Sequence, residues 1–296
     1  MNVSMFLNRL ERISKNVFAH LMPDELYLRI LYRFHMGYWM DFDNPKTFNE
    51  KTQWLKLHDH NPIYHELVDK YEVKKHVAKL IGEKYIIPTL GIYDNVNLID
   101  FDSLPSQFVI KCTHDSGSVI ICKDKNIFDK RAALTSLTKM LNRSHYWFWR
   151  EWAYKDVKPR IIVEKYMEDD TDKELRDYKF YCFDGKPHRL LLATDRQIKG
   201  GLCFDYFDMD FNHLPMTNHW HPNAKTVPHK PKHFEEMRAM AEKLATGIPQ
   251  VRVDFYEAND KVYFGEMTFY DMGGFLKIHP DDWDAEWGSL ITLPVK

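Results

Sequence analysis

One hairpin constrains this chain more than any other stretch. From residue 252 to 268 it reads Arg-Val-Asp-Phe-Tyr-Glu-Ala-Asn-Asp-Lys-Val-Tyr-Phe-Gly-Glu-Met-Thr, two runs of alternating character joined by a polar turn at 257–261. Side chains two apart on a strand share a face, so Arg252 and Asp254 point together, as do Glu266 and Thr268. A hairpin centred on Asp260 sets Asp254 opposite Glu266 and Arg252 opposite Thr268. The Cβ atoms of opposed residues lie roughly 4.5–5.5 Å apart, and like charges there repel. Two opposed carboxylates therefore want a cation between them. One or two carboxylates completed by phosphate oxygens describe a Mg²⁺ site in a nucleotide enzyme. A solvated hairpin face with incidental charges satisfies the same spacing.

The 296 residues suffice for two domains or one large one. A hydrophobic share of 44% and an aromatic share of 15% indicate a packed globular chain, not a disordered one. The net charge of −2 lacks the basic footprint of a nucleic-acid binder. Cys112, Cys122, Cys182 and Cys203 form no close CxxC pair, which fits reduced thiols in a cytoplasmic protein. The 15 histidines include no HExxH spacing. No apolar run reaches the ~18 residues of a membrane span. Phe6, Leu10, Ile13 and Val17 share a helical face with Arg9, Arg12 and Lys15 elsewhere. That pattern suits a helix docked on its own domain, and membrane contact is at most peripheral.

Along the chain, residues 1–36 read as helical, as do 47–58, where Thr47 and Glu50 make a capping box. Residues 63–81 keep helical spacing throughout. Short β-like runs follow at 86–93, 108–113 and 119–122, then a helix at about 130–142 and a strand at 160–166. Residues 177–183 and 187–194 flank Asp184-Gly185, a two-residue hairpin signal. Residues 208–232 read as loop and 234–245 as a helix. The mixture is α+β with antiparallel hairpins.

Three further segments carry candidate chemistry. Lys111 lies mid-strand among apolar neighbours, where a buried ammonium needs an anion. The polar turn after it, His114, Asp115, Ser116, Gly117 and Ser118, offers backbone N–H groups as an anion nest. An edge lysine before an ordinary hairpin loop fits equally well. Glu164, Lys165, Tyr166 and Met167 end an apolar strand, where backbone groups can bond an adenine and a carboxylate can hold ribose hydroxyls.

Taken in order, Asp69-Lys70, Lys111 with its Ser-Gly loop, Glu164–Met167, and Arg252-x-Asp254 with Glu266-x-Thr268 resemble the ATP-grasp superfamily. The runs beginning at Asn44, Phe108 and Asp177 extend the likeness to its polysaccharide-biosynthesis branch related to the teichuronopeptide synthesis protein TupA. The resemblance covers roughly residues 40–280. It implies a helical N-terminal region (1–62), a preceding segment (63–106), and two lobes with antiparallel sheets (about 107–166 and 167–296) clasping ATP. Lys70 and Lys111 would touch the phosphates, the 114–118 loop would cover them, and residues 164–167 would form the adenine and ribose hinge. Asp254 and Glu266 would ligate Mg²⁺. Thr268 stands where relatives usually carry Asn, which leaves a second metal open. Arg252 would face the transferred phosphoryl group or the acyl-phosphate. Lys179 and Arg196, on or beside the central hairpin, fit either the same cleft or a solvent-facing strand surface.

The implied chemistry is ATP-dependent activation of a carboxylate to an acyl-phosphate and its capture by an amine. The implied partners are a carboxylate-bearing sugar or glycan precursor and an amine or amino acid, on the way to a surface polysaccharide such as a capsule. Gly273-Gly274 reads either as a plain turn or as a donor of backbone N–H groups. The aromatics at 146–149, Trp152 and Trp220 suit either a core or sugar stacking. A nucleotide-sugar glycosyltransferase is the competing reading, through the spacing of Asp208 and Asp210.

Overall fold

Alternating apolar runs in the second half of the chain pair into one antiparallel sheet that organises the rest. The computed structural model describes residues 20–170, 175–195 and 201–295. The amphipathic stretch at 6–17 and Arg196 lie outside them. The described chain begins with helices α1 (Asp24–Met36), α2 (Phe48–His58), α3 (Ile63–Val68) and α4 (Glu72–Ile81). Strands β1 (Thr89–Tyr93), β2 (Phe108–Cys112) and β3 (Ile120–Cys122) follow, then α5 (Lys130–Leu141), α6 (Tyr146–Trp149) and β4 (Ile161–Lys165). The remainder is β5 (Arg176–Phe183), β6 (Lys186–Thr194), β7 (Cys203–Phe207), β8 (Thr217–Asn218), α7 (Phe234–Ala245), β9 (Gln250–Ala258), β10 (Lys261–Thr268), β11 (Ile278–His279) and α8 (Asp282–Ser289). A four-stranded sheet runs β1-β4-β2-β3, a five-stranded sheet runs β10-β9-β5-β6-β7, and β11 pairs with β8. Each of these pairings is antiparallel.

Local chemistry explains the boundaries. The Thr47 hydroxyl accepts from the Glu50 amide at 3.2 Å, and Glu50 accepts from the Thr47 amide at 3.1 Å, which starts α2. The stretch 63–81 is two helices, not one. Asp69 breaks it because its carboxylate accepts from the amides of Tyr71 (2.8 Å) and Glu72 (3.0 Å), capping α4. β7 and α8 were not anticipated, and β8 interrupts the supposed loop at 208–232.

The five-stranded sheet separates two cores. On one face Phe180, Leu192, Val253 and Phe255 pack on Phe234, Met237 and Leu244 of α7. On the other, Tyr181, Phe183, Leu191 and Tyr206 pack on α1, α2 and α8 through Leu28, Phe48 and Trp287. Burying each such side chain is worth roughly 1.5–3 kcal/mol. A third core joins the four-stranded sheet to α5 through Phe108, Ile110, Val163 and Leu137.

Along β5 the second face changes character, from Asp177 and Lys179 to Tyr181 and Phe183. Its apolar half lies under the N-terminal helices, and its polar half faces the four-stranded sheet's side of the cleft, which shares a cavity with Tyr256 of β9. Helix α2 also presents a polar stripe, Asn49, Thr52, Gln53 and Lys56, each at most 2% exposed. It grips the segment after β10. Asn49 bonds both backbone groups of Leu276 (2.7 and 2.8 Å), and Gln53 donates to the carbonyls of Gly273 (3.1 Å) and Gly274 (2.7 Å). Lys56 donates to Gly273 (2.6 Å) and Trp149 (2.9 Å). Burial pushes the Lys56 ammonium down to about 7, against the opposing pull of Glu151. Gly274, at φ +69°, has no room for a side chain, since a Cβ would sit 2.6 Å from Gln53 Nε2.

Candidate active site

On the four-stranded sheet the site is built around one carboxylate. Glu164 on β4 receives Lys111 of β2 at 2.6 Å and Lys74 of α4 at 2.5 Å. Burial works to raise the Glu164 carboxyl, but Lys111 and Lys74 outweigh it and hold it below the usual range. Beside this trio a cavity of about 510 Å³ opens, and it brings together Lys111, Glu164, Lys165, Tyr166 and Met167. Its apolar walls are Val109, Val119 and Ile121 on one side, with Leu175 and Tyr256 also contributing. Val119 and Ile121 are each 52% exposed, so this apolar lining is open to a ligand.

The 114–118 loop folds back on itself. Ser118 accepts from the Cys112 amide at 2.8 Å and donates to Asp115 at 2.6 Å. His114 is buried, with Nε2 at 3.1 Å from the Arg143 carbonyl. Lys70 donates to the Asp115 carbonyl, and its ammonium lies 3.9 Å from the Asp115 carboxylate. Burial pushes the Lys70 ammonium down, Asp115 and Glu266 oppose that, and Lys111 adds to it. Ser116 and Gly117 remain exposed.

On the five-stranded sheet the site is built around one guanidinium. β9 and β10 meet in a tight turn with Asn259 and Asp260 at φ 52° and 58°. That turn alone would set Asp254 opposite Gly265. A register shift between Phe264 and Glu266 restores the pairings Asp254–Glu266 and Arg252–Thr268. Gly265 fills the bulge, where a Cβ would lie 3.0 Å from the Asp254 carbonyl. Arg252 Nε donates to Asp254 at 2.8 Å. Its Nη2 donates to Asp254 (2.8 Å), Glu266 (3.0 Å) and Thr268 (3.2 Å), and Nη1 donates to Asp271. Lys179 pairs with Asp254 and with Asp177 at 2.7 Å. Burial works to raise the Asp254 carboxyl, but Arg252 and Lys179 hold it low.

The order of these elements, two antiparallel sheets with the cationic trio on one and the acidic cluster on the other, can be set beside known proteins. The TupA-like ATP-grasp family matches residues 50–292. The chain belongs to that family. Solved structures similar to it include the D-alanine–D-alanine ligase from Bacillus anthracis (16% identity, 73% of this chain, 62% of that one, TM-score 0.41). Another is the D-alanine–D-alanine ligase from Helicobacter pylori (16% identity, 82% and 69%, TM-score 0.41). A third is the ATP-grasp ligase PsnB, solved with a phosphomimetic variant of its minimal precursor, Mg and ADP (8% identity, 73% and 56%, TM-score 0.41). The chain spans 62% of the length of the Bacillus anthracis ligase, less than two-thirds. No curated protein matches it. The four- and five-stranded sheets are thus the two antiparallel sheets of an ATP-grasp fold.

The cation expected between the opposed carboxylates of this ATP-grasp chain is, in the structure, Arg252. Asp254, Glu266 and Thr268 converge on its Nη2 within 3.2 Å. Oxygen donors gathered around one cationic point fit Mg²⁺, which takes hard oxygen ligands at about 2.0–2.1 Å and is often held by one or two carboxylates plus phosphate. Among the described residues no three His, Cys, Asp or Glu side chains form a metal centre by themselves. Arg252 and the metal would share these oxygens only if the guanidinium shifts.

Several partners escaped the sequence. Lys74 sits on a lysine-rich helix, where spacing gives no hint of its contact with Glu164. Asp271 holds Arg252 and accepts from the Tyr181 hydroxyl at 2.5 Å; it precedes the flagged Gly273-Gly274 by two residues. The carbonyls of that glycine pair serve helix α2. Of the clustered aromatics, Tyr146 is buried and Trp149 packs on Phe275, while Trp147 and Phe148 line a second cavity. Asp208 closes its own turn, its Oδ1 accepting from the amides of Asp210 (3.0 Å) and Asn212 (2.8 Å) and its Oδ2 from the Asn212 side chain (2.9 Å), which spends both oxygens locally. No helix among the described residues is long and apolar enough to cross a membrane.

Proposed function

We propose that this chain is an ATP- and Mg²⁺-dependent carboxylate–amine ligase. The observation that carries the reading is the convergence of Asp254, Glu266 and Thr268 on one cationic point, on a sheet whose Tyr256 also walls the cavity of Lys111 and Glu164. ATP would place its base against Val109, Val119, Ile121 and Tyr256, near the 164–167 strand end. Lys111 and Lys70 would hold the phosphates under the 114–118 loop.

A substrate carboxylate attacks the γ-phosphorus, ADP leaves, and an amine then attacks the acyl carbon and releases phosphate. Two anions must approach for the first step, so charge neutralisation is the chief demand. Asp254, Glu266 and Thr268 would hold Mg²⁺, which when bound would neutralise the phosphate oxygens. Arg252, freed from Asp254 and still anchored by Asp271, would meet the transferred phosphoryl group, and Lys179 would keep Asp254 ionised. The acid is a sugar or glycan precursor for a surface polysaccharide, and the co-substrate is an amine or amino acid. This part rests on the TupA-like branch, not on side-chain geometry.

Calorimetric titration with a non-hydrolysable ATP analogue and Mg²⁺ tests the reading. Binding that depends on Mg²⁺ and is lost in Lys111→Ala and Asp254→Asn is the expected result. Binding of UDP-sugars without the ATP analogue would overturn it.

A further inference from the structure

The 114–118 loop also walls a second cavity, which the ATP placement leaves without a ligand. The second encloses about 780 Å³, within the roughly 300–1,000 Å³ of small-molecule sites. Its walls are the end of α5 with Lys139 and Arg143, the segment with His145, Trp147 and Phe148, and the loop residues Asp115 and Ser116.

Three observations define what it would take. The first is charge. Lys139 and Arg143 bring two cations. Among the described residues neither has a carboxylate partner, and the Arg143 guanidinium reaches only Met140 Sδ at 3.4 Å. The single carboxylate on the wall, Asp115, is already engaged by Ser118 and Lys70.

The second is position. The Lys70 ammonium lies directly behind Asp115, bonded to its carbonyl. His145 packs edge-on against Tyr154 with ring centroids 4.5 Å apart. Burial pushes the Tyr154 hydroxyl well up, and the charges of Glu151, Glu266, Arg252 and Asp115 all act on it. The loop wall therefore backs onto Lys70, a group expected to hold the phosphates.

The third is rigidity. Trp147 is held between His20, at 3.9 Å, and the Arg150 guanidinium, at 4.7 Å from its ring. The His114–Arg143 bond ties the outer wall to the loop.

We propose that this cavity binds the acid substrate, an anionic sugar. Its reacting carboxylate lies at the inner end beside Ser116, and a second anion is held at the rim by Lys139 and Arg143. The assignment rests on the ligase reading for the role of the inner end. The second anion is either another carboxylate or a glycosyl phosphate, chemistry that both cations serve.

The test uses the full chain with the ATP analogue and Mg²⁺ present, titrated with four probes: glucuronate, glucuronic acid 1-phosphate, digalacturonate and glucose 1-phosphate. The two acids that carry a second anionic group should bind more tightly than either glucuronate or glucose 1-phosphate, and whichever of them wins identifies the source of the second anion. In Lys139→Ala/Arg143→Ala that advantage should fall at least about tenfold, because each charge-assisted bond is worth about 1.5–3 kcal/mol. Affinity for the ATP analogue should stay at the wild-type value, which also reports that the variant is folded. If no acid binds, or if the variant binds the dianions as the wild type does, the cavity is not the acid site. Should the acids bind while the ATP analogue does not, the ligase reading falls and the anionic-sugar site stands.

Discussion

Glu164 and Asp254 are both buried, and each holds two basic side chains, yet the two centres carry opposite balances. Around Glu164 two lysines face one carboxylate. Around Asp254, among the described residues, the two cations Arg252 and Lys179 face the carboxylates of Asp254, Glu266 and Asp271, with Asp177 against Lys179. The first centre has positive charge to spare and the second has negative charge to spare. An ATP–metal complex has both signs, so the two sheets complement its two parts. The comparison also separates kinds of partner. Lysines act as point charges, whereas one planar guanidinium spans four side chains and fixes their geometry.

The largest effect should come from Arg252→Met. Removing it leaves Asp254, Glu266 and Asp271 without their shared guanidinium, a loss of about 3–5 kcal/mol in chemical denaturation. Millimolar Mg²⁺ should recover part of that loss, since the oxygens around the vacated point then need a cation. An equal loss without Mg²⁺ recovery would erase the contrast with Glu164. Next comes Glu164→Gln, which keeps an acceptor for Lys74 and Lys111 and should cost about 1–3 kcal/mol, with no Mg²⁺ effect.

The pH response sharpens the picture. Both carboxyls are held below their unfolded values of about 3.9 and 4.3. Their contribution is therefore complete above that range and is lost as pH falls through the lower folded values. Lys56 has the opposite sign. Its folded value is about 7 against about 10.4 unfolded. Between these values the unfolded chain binds more protons, so stability rises with pH, by at most ~1.4 kcal/mol per unit. Lys56→Met should flatten that alkaline limb in urea titrations. The smallest effect is that of Gly265→Ala, about 1 kcal/mol by the same denaturation, because the Asp254 carbonyl must give way to the added Cβ.

Period-two alternation and turn chemistry made the β5–β6 and β9–β10 hairpins legible, and the capping box made α2 legible. The pairing of Asp254 with Glu266 followed from an assumed turn centre, although the real route is a tighter turn plus a bulge at Gly265. Spacing shows which side chains share a face, not how far a long one reaches. That is why the sequence places Arg252 at the cleft without showing that its guanidinium folds back between the carboxylates. Lys74 and Asp271 were missed for a related reason. Lys74 meets Glu164 from another element 90 residues away in sequence, and Asp271 sits in an irregular turn with no periodicity to mark it.

The polar stripe of α2 also sets a clock. Lys56 and Asn49 find their partners 217 and 227 residues later in the chain. At roughly 5–20 residues per second of synthesis, the helix leaves the ribosome some 10–45 s before the segment that satisfies it. During that interval the groups of Asn49 and Gln53 that bond this late segment have no seat there, so the helix cannot settle into its final place. This helix is therefore seated late, only after the segment around Gly273 to Leu276 has been made.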